Sequence, residues 1–378
     1  MRAVKRIAPL VLPLLLIAAE VPAQTVRVYV GTYTSGEGGS RGIYRLRLDL
    51  ASGALTPEDQ PTEAVDPSFL EFSPDGARLY AVNETGQSRR DASGAVSAFA
   101  VDPGSGALTF LNKQPSGGAA PCHLSLDRDG RHVLVANYWG GTVAVIPIDK
   151  RGLGPRSALV QHDGEGPHPH WIQVDATGRH AIVADLGSDA LFVYGYDAAR
   201  GSLAPAPARV PLPPGAGPRH LAFHLDGRHA YVINELSSTV AAFAYDVGAG
   251  ALSVLQTVST LPSGFTGSNS TAEVAVSPDG RFLYGSNRGH DSLAIFAIDG
   301  ARGTLTPVGH QPSRGRHPRH FAIDPTGAYL IVANRDSDNL AVFRIDRKTG
   351  RLEPIGEPIR VPRPVCVRMR LVDRPPTD

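Results

Sequence analysis

Six times along the chain a short turn built around glycine joins two alternating apolar runs, and this recurrence restricts the fold more than any other feature. The turns are SPDGARLY at Gly76, DRDGRHVL at Gly130, DATGRHAI at Gly178, HLDGRHAY at Gly227, SPDGRFLY at Gly280 and DPTGAYLI at Gly327. A period of about 50 residues is the mark of a repeat architecture. D-G or T-G between alternating runs reads as a β-hairpin, because Gly accepts positive φ without steric cost. Each unit then continues with a third run and usually a fourth, as in STVAAFAYDVGAGALSVLQTV, DSLAIFAIDGARGTLTPVG and DNLAVFRIDRKTGRLEPIG. Four antiparallel strands per unit describe a β-propeller blade. A β-sandwich with similar turns would not require such a repeat.

The chain ends complete the ring. VRVYVGTY, GIYRLRLD and GALTPE near the N-terminus form a unit without a first strand, and PVCVRMR near the C-terminus is a first strand without its unit. Joining them gives a seventh blade and removes both open sheet edges. The reading is therefore an all-β, seven-bladed propeller with four antiparallel strands per blade. The 378 residues could hold two average domains. No linker or low-complexity segment divides them, so residues 24–378 are expected to form one domain. The 41 Gly and 32 Pro suit many short strands joined by tight turns.

MRAVKRIAPLVLPLLLIAAEVPAQ, at the start, has a basic opening, an apolar run from Ile7 to Ala19 and a small-residue cleavage pattern at Val21-Pro22-Ala23. The run is short for a membrane span of about 20 residues, so residues 1–23 are expected to be a cleaved signal. The mature protein would be periplasmic or secreted and not membrane-bound. A net charge of +1 without Lys/Arg blocks argues against a nucleic-acid partner. Cys122 and Cys366 provide no disulfide framework, and sequence leaves open whether the two meet.

In a repeat, scaffold resides in what recurs and function in what differs. Eight residues before each turn glycine stand Ser68, Cys122, His170, Arg219, Ala272 and Arg319. Seven after it stand Asn83, Asn137, Asp185, Asn234, Asn287 and Asn334, a recurrent polar position suited to satisfying backbone groups at a strand end. Eight after it the residues diverge again: Glu84, Tyr138, Leu186, Glu235, Arg288 and Arg335. Positions equally far from a hairpin turn lie side by side. Both variable columns therefore sit at the blade end away from the turn and converge on one mouth of the central channel. That mouth would collect His170, Arg219, Glu235, Arg288, Arg319, Arg335 and Glu84, a suitable site for a small anion or a developing negative charge. For any one of these residues the plainer reading is a solvated strand end, particularly as the basic residues are nearly all Arg. Convergence on adjoining blades is what favours a site.

Other motifs carry less. HDGEGPHPHW brings together His162, Asp163, Glu165, His168 and His170, but its spacing is not that of a zinc helix. GGSRG places Ser40 in a formal G-x-S-x-G within a hairpin loop, where no strand-to-helix elbow is expected. Neither a metal nor another cofactor is expected.

GAGPRHLAFHLDGRHAYVINELSSTV, with the flanking PHPHW, SNRGHDSL and HPRHFAID, resembles the lactonase family of seven-bladed propellers, to which 6-phosphogluconolactonase of the propeller type and fungal carboxy-muconate lactonizing enzyme belong. The likeness extends over essentially the whole mature chain. It implies that His170, Arg219, Glu235 and Arg288 are the catalytic set and that Arg319 is a further recurrent Arg. His220, Arg335 and Glu84 are taken with Arg319 as substrate-binding. Opening of a sugar or aldonic lactone would use His170 as base on water, Arg219 and Arg288 on the oxyanion, and Glu235 either to orient them or, with a raised pKa, to protonate the leaving alkoxide. A secretion signal departs from a cytosolic phosphorylated substrate and favours an unphosphorylated lactone. Two alternatives are lactonizing or cycloisomerase chemistry on a carboxylate, and a non-catalytic propeller binding a protein or glycan, with Tyr138 and Trp139 near the mouth.

Overall fold

The computed structural model describes residues 25–372, except positions 37, 89, 92 and 165. The expected signal and its cleavage point at Ala23 lie outside the described residues. Seven antiparallel sheets succeed one another. Blades 1 to 6 begin with inner strands Leu70–Phe72, Pro121–Leu126, Pro169–Val174, Pro218–Phe223, Ser270–Val276 and Pro318–Ile323. Blade 7 takes its inner strand, Pro364–Leu371, from the C-terminus and pairs it antiparallel with Thr25–Thr32, Val26 opposite Leu371 and Gly31 opposite Cys366. Each inner strand touches the next, and Pro364–Leu371 touches Leu70–Phe72, so the ring is closed. In three blades the outermost strand is split into two short segments that pair with the same neighbour. Among the described residues the one helical element is a 3-10 turn at Arg335–Ser337.

The glycine turns differ in detail from two-residue hairpins. In blade 1 Ser73 N donates to Arg78 O at 3.0 Å and Gly76 N to Ser73 O at 2.7 Å, which makes a four-residue loop around a type I turn. The turn glycines follow in left-handed backbone, with φ of 65° at Gly76 and 74° at Gly178. An L residue there would be strained.

The core lies between blades, since each sheet buries both faces against its neighbours. Tyr29, Phe69, Leu79 and Leu124 pack in one such layer. Tyrosines also cross between blades: Tyr29 donates to Gly106 O at 2.7 Å, and Tyr284 to Gly350 O at 2.9 Å. The recurrent Asn column behaves as expected. Asn83, Asn287 and Asn334 donate to the carbonyls of Val65, Thr260 and Ser313 at 2.7, 2.8 and 2.9 Å. Asn234 instead donates to the Thr239 hydroxyl at 3.0 Å.

Candidate active site

At the channel mouth the inner strands carry β-bulges. Pairing passes from Pro218–Asn234 to His220–Ile233, from Pro169–Asp185 to Trp171–Ala184, and from Pro318–Asn334 to His320–Ala333. The residues skipped are Arg219, His170 and Arg319, members of the first variable column. A bulge adds one residue and re-aims its side chain, so two successive residues, such as Arg219 and His220, can both serve the channel. Hairpin symmetry does place Arg219 beside Glu235, but the bulge is what turns its guanidinium.

Arg219 is 2% exposed. Its Nε donates to Glu235 Oε2 at 2.9 Å, and its Nη1 donates to Ala272 O at 2.9 Å and to His220 Nε2 at 3.1 Å. Nη2 is left without a hydrogen bond to any described residue. Arg288 Nη2 reaches the same Glu235 oxygen at 2.9 Å and donates to Thr271 O at 2.5 Å. One carboxylate oxygen thus holds two guanidiniums from adjoining blades. Burial alone would raise the Glu235 carboxyl, but Arg219, Arg288 and Arg319 outweigh it and keep the group ionised below its usual range. That direction is opposite to the raised pKa that proton donation by Glu235 would require. Burial and Arg219 press Arg288 down to about 9, still cationic at neutral pH.

His170 lies deep in the same mouth, its ring 5.7 Å from that of Tyr138 and 5.1 Å from that of His220. Burial, then the charge of Arg219, holds its pKa well below the usual value, so it is a neutral imidazole able to accept a proton. Its Nδ1 is buried without a partner among the described residues. Across the mouth Arg319 sits over the Tyr33 ring at 5.3 Å and 3.9 Å from Glu84, which accepts from the Tyr33 hydroxyl at 3.0 Å.

The other expected residues are placed differently. Arg335 turns to Asp336, Nε to Oδ1 at 2.6 Å. His220 is not at the surface of the mouth but behind Arg219, in the channel wall. His162 is tied to Asp185 at 2.6 Å, whereas His168 stacks on Tyr138 with ring centroids 4.4 Å apart. Cys122 and Cys366 are both free and buried. Burial raises both thiols, Cys366 to about 12. Sequence reasoning passed over Tyr33, which follows no turn glycine because the two strands of its hairpin come from opposite ends of the chain, and Glu273. The signal for Glu273 was the column one residue on from the first: Phe69, His123, Trp171, His220, Glu273, His320.

Fold and mouth together define a β-propeller enzyme architecture with its polar chemistry at one end of the central channel. The family model described as Lactonase, 7-bladed beta-propeller matches residues 27–369, and the chain belongs to that family. It is 38% identical to a 6-phosphogluconolactonase of Bacillus subtilis over 305 residues, covering 78% of this chain and 83% of the relative. A 6-phosphogluconolactonase of Formosa agariphila is 34% identical over 308 residues, covering 78% and 85%. Among solved structures, the periplasmic gluconolactonase of Pseudomonas aeruginosa aligns with a TM-score of 0.87 at 38% identity, covering 92% of this chain and all (100%) of that one.

Proposed function

We propose that this protein hydrolyses an unphosphorylated aldonic or sugar lactone outside the cytoplasm. The observation that carries the reading is the pair of guanidiniums fixed on Glu235 beside the neutral His170. As water attacks the ring carbonyl, the developing oxyanion meets Arg219 and Arg288, already oriented, so little reorganisation is needed at that moment. His170 takes the proton from the attacking water and returns it to the alkoxide that leaves as the ring opens. The same cations that keep His170 neutral are partly offset when the oxyanion forms, which raises the basicity of His170 as the proton moves.

Charge supports an unphosphorylated substrate. In the inner mouth three guanidiniums, Arg219, Arg288 and Arg319, face two carboxylates, Glu235 and Glu84, leaving one positive charge. One charge matches one oxyanion and then one product carboxylate. A phosphate would bring about −1.5 to −2 more, and Arg335, which could have met it, is engaged by Asp336. The secretion-signal composition and the periplasmic relative point to the same compartment. Proton release from a panel of aldonolactones, corrected for spontaneous opening, tests the reading. Higher kcat/KM on glucono-lactone than on its 6-phosphate is expected. No rate above background on any lactone refutes the activity, and preference for the phosphate refutes the substrate class.

A further inference from the structure

Behind the arginines the channel wall holds a second polar layer that the reaction does not use directly. Arg219 Nη1 lies 3.1 Å from His220 Nε2, and a guanidinium can only donate. His220 therefore carries its proton on Nδ1, which lies 3.1 and 3.2 Å from the two oxygens of Glu273. On the other side His320 Nδ1 accepts from Val367 N at 3.3 Å, and its Nε2 lies 3.0 Å from Glu273 Oε2 and 3.3 Å from Arg368 Nη1. Val274 N completes the set at 3.0 Å from Oε1. Glu273 thus accepts from His220 and Val274 and abuts His320, in a layer where His220 and His320 are 3% and 2% exposed. The two imidazoles are neutral: burial and then Arg219 depress His220, and burial depresses His320 to about 3 against the opposing charge of Glu273.

This layer is also the floor of a cavity of about 660 Å³ that opens on the face away from the arginine mouth. His220, Glu273, His320 and Arg368 line it, and it extends to Leu225 and Pro278 beside the glycine turns. Arg219 is therefore held from in front by Glu235 and from behind by a carboxylate that the far side of the ring can reach.

We propose that Glu273 is a positioning residue for the reaction: through His220 it fixes Arg219, and the far cavity is the route by which a small carboxylate can reach its place. This rests on the proposed lactonase activity. Losing Glu273 frees the Nδ1–H of His220 to seek another acceptor, the ring turns, and Arg219 Nη1 loses one of its two anchors. A misplacement of about 1 Å in an oxyanion-binding group costs up to about 100-fold in rate.

The test compares Glu273→Ala, Glu273→Gln and His220→Ala/Glu273→Ala on glucono-lactone. The alanine removes the atoms of an acetate ion, so acetate is the probe. Glu273→Ala is expected to lower kcat by about 10- to 100-fold with KM little changed, and acetate is expected to restore at least several-fold of the loss. Wild type, Glu273→Gln and the double variant should not respond to acetate. Retention of most of the wild-type kcat in Glu273→Ala overturns the proposal. So does a loss, in a protein that melts as a folded ring, which acetate leaves unchanged. If the alanine variant does not fold, Glu273→Met, which fills the space without a strong acceptor, decides: a several-fold fall in kcat at constant KM supports positioning, and full activity overturns it. A wild-type protein inactive on every lactone refutes the activity instead. The ¹⁵N shifts of His220 then read the proposal alone, expected to show Nδ1–H in wild type, a changed tautomer in Glu273→Ala, and recovery with acetate. An unchanged tautomer in the variant overturns it.

Discussion

Replacing Glu235 with Gln asks how much the shared carboxylate contributes. The substitution keeps size and one acceptor oxygen but removes the charge on which Arg219 and Arg288 both rest at 2.9 Å. Breaking one partner of a buried ion pair costs about 3–5 kcal/mol. The Glu235 side chain is 20% exposed, and Gln still accepts one of the two bonds, so a loss of about 2–3 kcal/mol is expected. Two unneutralised guanidiniums will also repel and spread, which should cost about 100-fold in kcat, or about 2.7 kcal/mol of barrier. The pH dependence carries a sign. The folded-state pKa of Glu235 is depressed, so its contribution is present above the unfolded value, about 4.3, and is lost as pH falls through the folded value. Denaturant titrations at pH 7 and near pH 3, with proton-release kinetics at neutral pH, measure both quantities. Equal stability of variant and wild type at pH 7, a gap that does not shrink in acid, or a kcat within about threefold would refute the reasoning.

Three further outcomes are expected. His170→Ala should lower kcat by about 10²- to 10⁴-fold with KM nearly unchanged, measured by initial rates; a rate near wild type removes His170 from the base role. Arg335→Ala should leave kcat and KM within about twofold, because its guanidinium is held by Asp336 rather than aimed at the site; a large rise in KM would show that it reaches substrate. Cys122 and Cys366 should resist a thiol reagent in the native protein and both react in guanidinium chloride, since each is buried with a raised pKa; fast labelling of folded protein would contradict that burial.

The blade count, the closure of the ring by Pro364–Leu371 against Thr25–Thr32, and the mouth at which Arg219 meets Glu235 were all legible in the amino-acid order. Each follows from local rules: strand alternation, turn glycines at fixed spacing, and the reflection of one strand onto the next about a hairpin. Those rules act over a few residues and repeat, so one chain displays them six times. The bulges at His170, Arg219 and Arg319 were not legible, because a skipped pairing depends on how the inner strand fits its neighbours around the channel. Nor was the fate of Arg335, which shares a column with Glu235 and Arg288 yet turns to its own neighbour Asp336. Glu273 is the clearest case. Its column marks it as an exception, but along the chain it lies 53 residues from His220, and nothing local says that the two meet. Only closing the ring brings His220, Glu273 and His320 from successive blades into one layer. Sequence determined the scaffold and where its exceptions fall. Which of those exceptions touch was decided by the tertiary structure, because contact across a channel depends on curvature summed over seven blades and not on any local spacing.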